Sequence, residues 1–397
     1  MRRFLSVIAV IQLPFAVRVM WRLLRTARGT RIQRSEGAMP AERVTVLVPV
    51  LDEEDRLRPC LEGLIAQPAE VSEILVIDGG STDATRDLVA EYARRDRRVR
   101  LLDAAPIPAG VNGKAHGLQV GLERTDPASQ WVLTIDADVR LAAALTRSLL
   151  AHAARTGDAV ISVATRQRVS GPGEGLLHPA LLTTLVYRFG IPGHATRDPA
   201  AVQANGQCCL LRRPALAAIG GFRAGLGSVC EDVTIARAIA ATGRAVGFYE
   251  ADALVWTVMY AGWREAWANW TRSLPMLDGR TSLAGWLGLV EVVVVQALPL
   301  PLLFLALSRT QPPRPPNPAG SAIDLRLSFV RTVNVVLVAV RLGVLVGTAR
   351  AYQQPPWSYW LSPLADLPVA IKLVRSGRQR RHRWRGRIIH RDRRGDR

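Results

Sequence analysis

The sequence predicts an α/β protein: a mostly parallel sheet flanked by helices, followed by helices that lie in or on a membrane. Three observations predict it. Between residues 43 and 260, short β-branched runs alternate with helix-like segments, the pattern of βαβ units. From residue 283 onward, two apolar stretches of span length appear. Arginines crowd at residues 18–34 and 375–397, beside the apolar parts of the chain. A length of 397 residues with 49% hydrophobic content accommodates one large domain plus extra segments, or two domains.

The elements follow in order. Residues 4–17, "FLSVIAVIQLPFAV", are apolar, and Arg18, Arg22 and Arg25 follow on one helix face. This run is shorter than the ~20 residues that cross a bilayer, and no small-residue cleavage site follows it. Residues 1–34 are therefore expected to be a membrane anchor or interfacial helix. Residues 43–275 read as the soluble unit. "RVTVLVPV", "EILVID", "VRLLDA", "WVLTIDAD" and "AVISVAT" are its strands, with helices over 55–66, 83–94, 113–123 and 141–154 between them.

Residues 283–375 read as membrane helices. The stretch 283–307 carries a single charge, Glu291, and a Pro-rich loop separates it from a second span at 325–347. Arg331, Asn334 and Arg341 share one face of that second helix. An arginine at the bilayer centre costs about 2.5–3.5 kcal/mol on insertion scales. That face is therefore expected to meet protein or headgroups, with Glu291 a candidate partner. Residues 357–375 mix tryptophans and apolar residues, as an interfacial helix does, before a basic tail at 376–397. The flanking arginines place both basic segments, and with them the soluble unit, on the cytoplasmic side of the cell (inner) membrane.

The formal net charge is +19, yet only Lys114 and Lys372 among the basic residues are lysines, so single arginines carry little information. Cys60, Cys208, Cys209 and Cys230 form no CxxC pair and no zinc spacing. They read as reduced core thiols, with Cys208 and Cys209 pointing to opposite faces of a strand.

Carboxylates recur at predicted strand ends. "VTVLVPV" runs into Asp52, Glu53, Glu54 and Asp55, "EILVI" into Asp78, and "WVLTI" into Asp136 and Asp138. Ligands of open α/β sheets bind at the carboxyl ends of the strands. In an extended conformation Asp136 and Asp138 point to one side. Two like charges aimed at one pocket call for a cation, and Mg2+ or Mn2+ held with substrate phosphates fits. "GVNGKAHGL" supplies the phosphate side, since a glycine-flanked loop enters a helix whose first turn carries Lys114. In "DGGSTDATRDL" the glycines, hydroxyls and Asp83 suit a turn and a helix start, leaving Asp78 as a candidate acceptor for a nucleobase N–H. Glu231 and Asp232 open another helix, where a carboxylate can cap or act as general base. Adjacent acids there point in different directions, so one at most is expected to meet an acceptor.

Together these pieces resemble family 2 glycosyltransferases: "VPVLDEED", "VIDGGSTDAT", "NGKAHGL", "TIDADV", "ANGQCCLLRR" and "CEDVTIA", in that order over residues 44–240. Later pieces, "WREAWANWTRSL", "LSPLADLP" and "WRGR", resemble the membrane-bound subgroup associated with hopanoid and carotenoid biosynthesis. The resemblance implies a nucleotide-binding fold of GT-A type. It implies inverting transfer of one sugar from a nucleotide-diphosphate sugar to a lipid, isoprenoid-type acceptor at the membrane. It places Glu53, Asp78, Lys114 and Asp136 on the nucleotide side, Asp138 with Asp136 at Mg2+ or Mn2+, and Asp232 as catalytic base beside Glu231. Asn205, Gly206, Gln207 and Trp270 would line the sugar or acceptor pocket. Two departures stand out: Asp52 occupies a position where asparagine is common, and "WANWTRS" lacks the Gln-x-x-Arg-Trp motif of processive relatives. The second favours single-sugar transfer.

Rival readings are a polyprenyl-phosphate acceptor, an Asp-x-Asp phosphotransferase and a basic membrane scaffold. The phosphotransferase wants Thr or Val where Arg140 stands. No nucleic-acid module accompanies the arginine tail, so nucleic acid is not an expected partner.

Overall fold

The computed structural model describes residues 2–39, 41–274, 276–277, 282–308, 318–379, 381–384 and 387–390. The N-terminal run forms helix α1 (Arg2–Thr26). The first half of the soluble unit is β1 (Val44–Val50), α2 (Glu54–Ile65), β2 (Val71–Asp78), α3 (Thr85–Arg95), β3 (Val99–Asp103), α4 (Gly113–Leu122) and β4 (Trp131–Ile135). Then come β5 (Val139–Leu141), α5 (Leu145–Thr156), β6 (Val160–Ala164), β7 (Arg166–Gln167), α6 (Pro172–Phe189) and β8 (His194–Thr196). It closes with β9 (Cys208–Arg212), α7 (Arg213–Ala217), α8 (Glu231–Ala241), β10 (Val246–Glu250), β11 (Val255–Thr257) and α9 (Trp263–Ser273).

The main sheet has eight strands in the order β3-β2-β1-β4-β9-β6-β10-β8. The strands β3, β2, β1 and β4 are mutually parallel, whereas β9 runs antiparallel between β4 and β6. Helices cover both faces. Val46 and Val48 of β1 enter one core with Leu57 and Leu61 of α2, while Leu47 enters the other with Leu118 of α4. A strand buried on both sides reads as a continuous apolar run, which is why "VTVLVPV" shows no alternation. Cys208 and Cys209 fall in opposite cores, as the strand reading requires. A second sheet, β5-β11-β7, carries the segment after Asp138.

Beyond the soluble unit stand α10 (Ser282–Glu291), a π-helical turn (Val292–Ala297), α11 (Pro299–Leu307), α12 (Pro318–Thr348), a 3-10 segment (Trp357–Ala365) and α13 (Asp366–Arg378). The basic tail lies partly outside the described residues; its described part holds the antiparallel strands β12 (Arg381–Trp384) and β13 (Arg387–His390). Among the described residues, three helices are long and apolar enough to cross a membrane, Phe4–Thr26, Leu283–Leu307 and Leu325–Ala351. The first is longer than its apolar run alone. The helix continues past the apolar run through Arg18, Arg22 and Arg25, so its 25 residues reach about 37 Å. The three pack together, Leu5 and Ala9 against Leu302, Ala306 and Val330, and Val19 and Leu23 against Val294, Val295, Leu337 and Val344.

The polar residues of the second span meet protein, as expected, but Glu291 is not their partner. Glu291 meets Arg22, and Arg18 at 3.3 Å, both on α1. Arg341 instead bonds Asp366 of α13 at 2.8 Å, with Gln296 donating to the same carboxylate at 2.8 Å. Asn334 receives a hydrogen bond from Gln12 of α1 at 3.1 Å, and Arg331 donates to the Ala306 carbonyl. The shared polar face exists, but it meets α1, α11 and α13, because α1 and not α12 lies beside Glu291.

Candidate active site

A cavity of about 680 Å3 opens past the carboxyl ends of β1, β2 and β4. Seven carboxylates line it, Asp52, Glu53, Asp136, Asp138, Glu231, Asp232 and Glu265, with two cations, Arg56 and Lys114. Asn205, Gly206 and Gln207 line it as well, as do Tyr260 and Asn269 from the region of α9.

The loops after β1 and β2 are stapled together. Asp52 adopts φ 52, a left-handed conformation that Asp and Asn tolerate, which accounts for either residue type there. It accepts from Thr82 N at 2.8 Å, and its own N–H reaches Ser81 Oγ at 3.0 Å. Glu53 N donates to Thr85 Oγ1 at 2.8 Å, and the Glu53 carboxylate pairs with Arg56 at 2.9 Å. Asp78 is fully buried; its carboxylate accepts from Ser81 N at 3.0 Å and pairs with Arg86 at 2.7 Å. It shapes the loop and is not among the cavity-lining residues.

Asp136 and Asp138 correct the extended-strand argument. The strand ends at Ile135, and Val139 N bonds back to Asp136 O at 3.2 Å, so the pair sits in a turn. Both still line the cavity, because the turn carries them over its rim. Thr257 Oγ1 on β11 holds the Asp138 carbonyl at 3.1 Å.

Lys114 is the hub. Asn112 caps α4 by accepting from Ala115 N at 3.1 Å, which fixes the first helical turn. Lys114 Nζ lies 2.7 Å from Asp136 and 3.2 Å from Glu231. Asn112 Nδ2 donates to the other Glu231 oxygen at 3.1 Å. Glu231 therefore holds Lys114 and Asn112, whereas the neighbouring Asp232 turns elsewhere, accepting from Gly206 N at 2.6 Å and Val233 N at 2.8 Å. A Cβ on Gly206 would lie 2.7 Å from Lys114 Nζ and 3.2 Å from Asp232 Oδ2, so only glycine brings the backbone this close. Asn205 and Gln207 form a polar floor with Thr165, Asn205 Nδ2 donating to Thr165 Oγ1 at 3.1 Å. Gln207 Nε2 is buried without a partner among the described residues. Trp270 lies outside the cavity lining, its ring 4.2 Å from that of His178.

Charge crowding perturbs the site. Burial, then Asp136, raises the Asp138 carboxyl to about 7. Burial, then Glu231, raises Asp232 to about 6, opposed by Lys114. Burial alone would lower the Lys114 ammonium, but Asp136, Glu231 and Asp232 outweigh it and hold it well above its ordinary value. Among the described residues no group of three or more His, Cys, Asp or Glu is arranged to hold a metal by itself. Asp138 Oδ1 is nevertheless buried without a hydrogen-bond partner, a donor set suited to a hard cation that shares its remaining ligands with a phosphate.

Sequence reasoning missed Arg56, Asn112, Cys230, Tyr260, Glu265 and Asn269. Asn112 was legible as a helix cap before Gly113. Arg56 was hidden by the abundance of arginine, and the residues near α9 reach the cavity only through tertiary packing.

Comparison with known proteins finds relatives of part of the chain and of its fold. The family described as Glycosyl transferase family 2 matches residues 45–220. The glycosyltransferase GlyA of Streptococcus pneumoniae is 37% identical over 62 residues, 16% of this chain and 9% of that protein. The lipopolysaccharide core biosynthesis glycosyltransferase LpsC of Rhizobium meliloti is 31% identical over 137 residues, 34% of this chain and 46% of that protein. These matches span less than half the length of either relative. Among solved structures, a mannosyltransferase from Pyrobaculum calidifontis in complex with GDP-Man and Mn2+ shares the fold. Its TM-score is 0.52 at 18% identity, covering 93% of this chain and 99% of that one.

Proposed function

We propose, from the match of residues 45–220 to the glycosyl transferase family 2 model, that the protein moves a single sugar, with inversion, from a nucleotide-diphosphate sugar to a lipid hydroxyl at a membrane. The observation that carries this reading is the cavity itself, lined by seven carboxylates and two cations in a chain of net charge +19. A diphosphate entering so acidic a cavity needs accompanying positive charge. Asp138, with Asp136 beside it, would hold Mg2+ or Mn2+ there. When bound, the cation offsets the negative charge of the leaving diphosphate.

The chain's own residues supply the rest. Lys114, at the amino end of α4, adds a fixed positive charge on the donor side. Glu53 and Arg56 sit on the nucleotide side of the cavity, and Asp78 supports that side from within its loop. Asn205, Gly206 and Gln207 form the floor on which the sugar rests. Asp232, raised to about 6, is ionised at neutral pH yet basic enough to accept a proton. It takes the proton of the acceptor hydroxyl, and the oxygen attacks the anomeric carbon. The bond to the phosphate oxygen breaks on the opposite face, and the nucleoside diphosphate leaves with the electron pair.

A membrane acceptor is supported by the three span-length helices. The segment before α13 exposes Trp357, Trp360 and Leu364, residues that suit a bilayer surface. The α9 helix, whose Glu265 and Asn269 line the cavity, shares a core with α13. An isoprenoid-type lipid, as in hopanoid or carotenoid pathways, would meet these requirements, as would the cytoplasmic face of the cell membrane. The test incubates membranes containing the protein with a panel of radiolabelled nucleotide sugars and identifies the labelled lipid. Label in a lipid hydroxyl glycoside supports the reading, and label in a polyprenyl phosphate, with turnover that survives Asp232→Ala, contradicts it.

A further inference from the structure

We propose that Cys230 is a positioning residue for Asp232: its thiol holds one carboxylate oxygen while the Gly206 N–H holds the other, fixing the direction in which the carboxylate faces the cavity. The inference rests on Asp232 being the base.

Cys230 differs from the other three cysteines. They are buried, whereas Cys230 is partly exposed and lines the cavity. Its Sγ donates to Asp232 Oδ1 at 3.1 Å, and Val233 N reaches the same oxygen at 2.8 Å. Gly206 N holds Oδ2 at 2.6 Å. The thiol is itself held in place, because Cys230 N donates to Ser228 Oγ at 3.0 Å and that hydroxyl pairs with Thr234 Oγ1 at 2.8 Å across the first turn of α8. Both oxygens of the carboxylate are thus fixed by two backbone N–H groups, of Gly206 and Val233, and one side chain, the Cys230 thiol.

The choice of sulfur has a chemical consequence. A hydroxyl at this position would bind the ionised carboxylate tightly and weaken it as a base. Alanine would leave Oδ1 to Val233 alone and let the carboxylate turn. A thiol is a weak donor, so it orients the oxygen while drawing off little of its basicity. The other groups facing Asp232 act in known directions. Burial and Glu231 of the same helix raise its pKa, Lys114 from α4 lowers it, and the Cys209 thiol of β9 is buried and protonated nearby. The Cys230 hydrogen bond adds to the lowering side. Its loss must therefore move proton uptake by Asp232 to higher pH.

Two measurements on the full-length protein in detergent decide it. The first is iodoacetamide alkylation of Cys230 at pH 8, followed by peptide mass spectrometry. A thiolate facing Asp232 is disfavoured, so Asp232→Asn is expected to react at least about threefold faster than wild type. Equal rates would mean that the thiol does not face the carboxylate and would overturn the proposal without reference to turnover. The second is the acidic limb of the pH profile, with whichever nucleotide sugar labels wild-type membranes. Cys230→Ala is expected to shift the limb up by about half to one pH unit, and Cys230→Ser is expected to keep it at or below the wild-type position. A limb unmoved in Cys230→Ala but abolished in Asp232→Asn overturns the role of Cys230 and leaves the base standing. A limb that persists in Asp232→Asn overturns the base itself.

Discussion

The cavity and the helix bundle beside it both bury charge, but they match it differently. In the bundle, Glu291 meets two arginines of α1, and Asp366 meets Arg341 and Gln296. In the cavity, seven carboxylates share Arg56 and Lys114, and Asp138 Oδ1 has no partner among the described residues. Burial penalises unmatched charge, so an excess that persists needs a partner from outside the chain. Closed pairs hold helices together, and open ones await a ligand. The contrast separates architecture from chemistry within one molecule.

Substitutions in the two regions are expected to act differently. The largest effect is expected at Asp232. Asp232→Asn should lower turnover about 100- to 10,000-fold while nucleotide binding, followed by calorimetry, stays near wild type. In the bundle the effect should fall on stability. Arg341→Leu leaves Asp366 buried and unpaired and should cost about 3–5 kcal/mol, whereas Arg341→Leu combined with Asp366→Leu should recover most of it. Unfolding in detergent measures both, and a double variant no better than the single one would contradict the pair's role. Gly206→Ala should come next, with turnover reduced about 10- to 100-fold in a protein that still folds, because the added Cβ pushes on Lys114 and Asp232. Trp270→Phe should be the mildest, within about threefold in turnover and under about 1.5 kcal/mol in stability, since its ring packs on His178. A large rise in KM there would place Trp270 against the acceptor instead.

The same contrast explains what could be read from the sequence. The parallel strands were legible because a sheet buried on both faces writes uninterrupted β-branched runs, as in "VTVLVPV". Convergence of the Asp52 and Asp136 segments followed from the rule about strand ends, whereas Asp232, at a helix start, was brought to them only by the family resemblance. What failed were inferences that depend on local geometry or distant neighbours. An extended segment would aim Asp136 and Asp138 to one side, but the strand stops at Ile135. Glu291 is a candidate partner for α12 by sequence, but α1 is longer than its apolar run and takes that place. Asp78 ends its strand as the sequence suggests, and Ser81 and Arg86, three and eight residues on, enclose its carboxylate, a local arrangement no strand pattern reports. Periodicity reports which face is buried, and it does not report which partner buries it.

The central claim is that the cavity's unmatched carboxylates are completed by a cation and a nucleotide diphosphate. The most direct measurement titrates GDP and UDP into the full-length protein in detergent, with and without Mn2+, for wild type, Asp138→Asn and Asp232→Asn. Mn2+-dependent binding of at least one nucleotide is expected for wild type and Asp232→Asn, weakened at least about tenfold in Asp138→Asn. Binding of equal strength without Mn2+, or undiminished in Asp138→Asn, would contradict it.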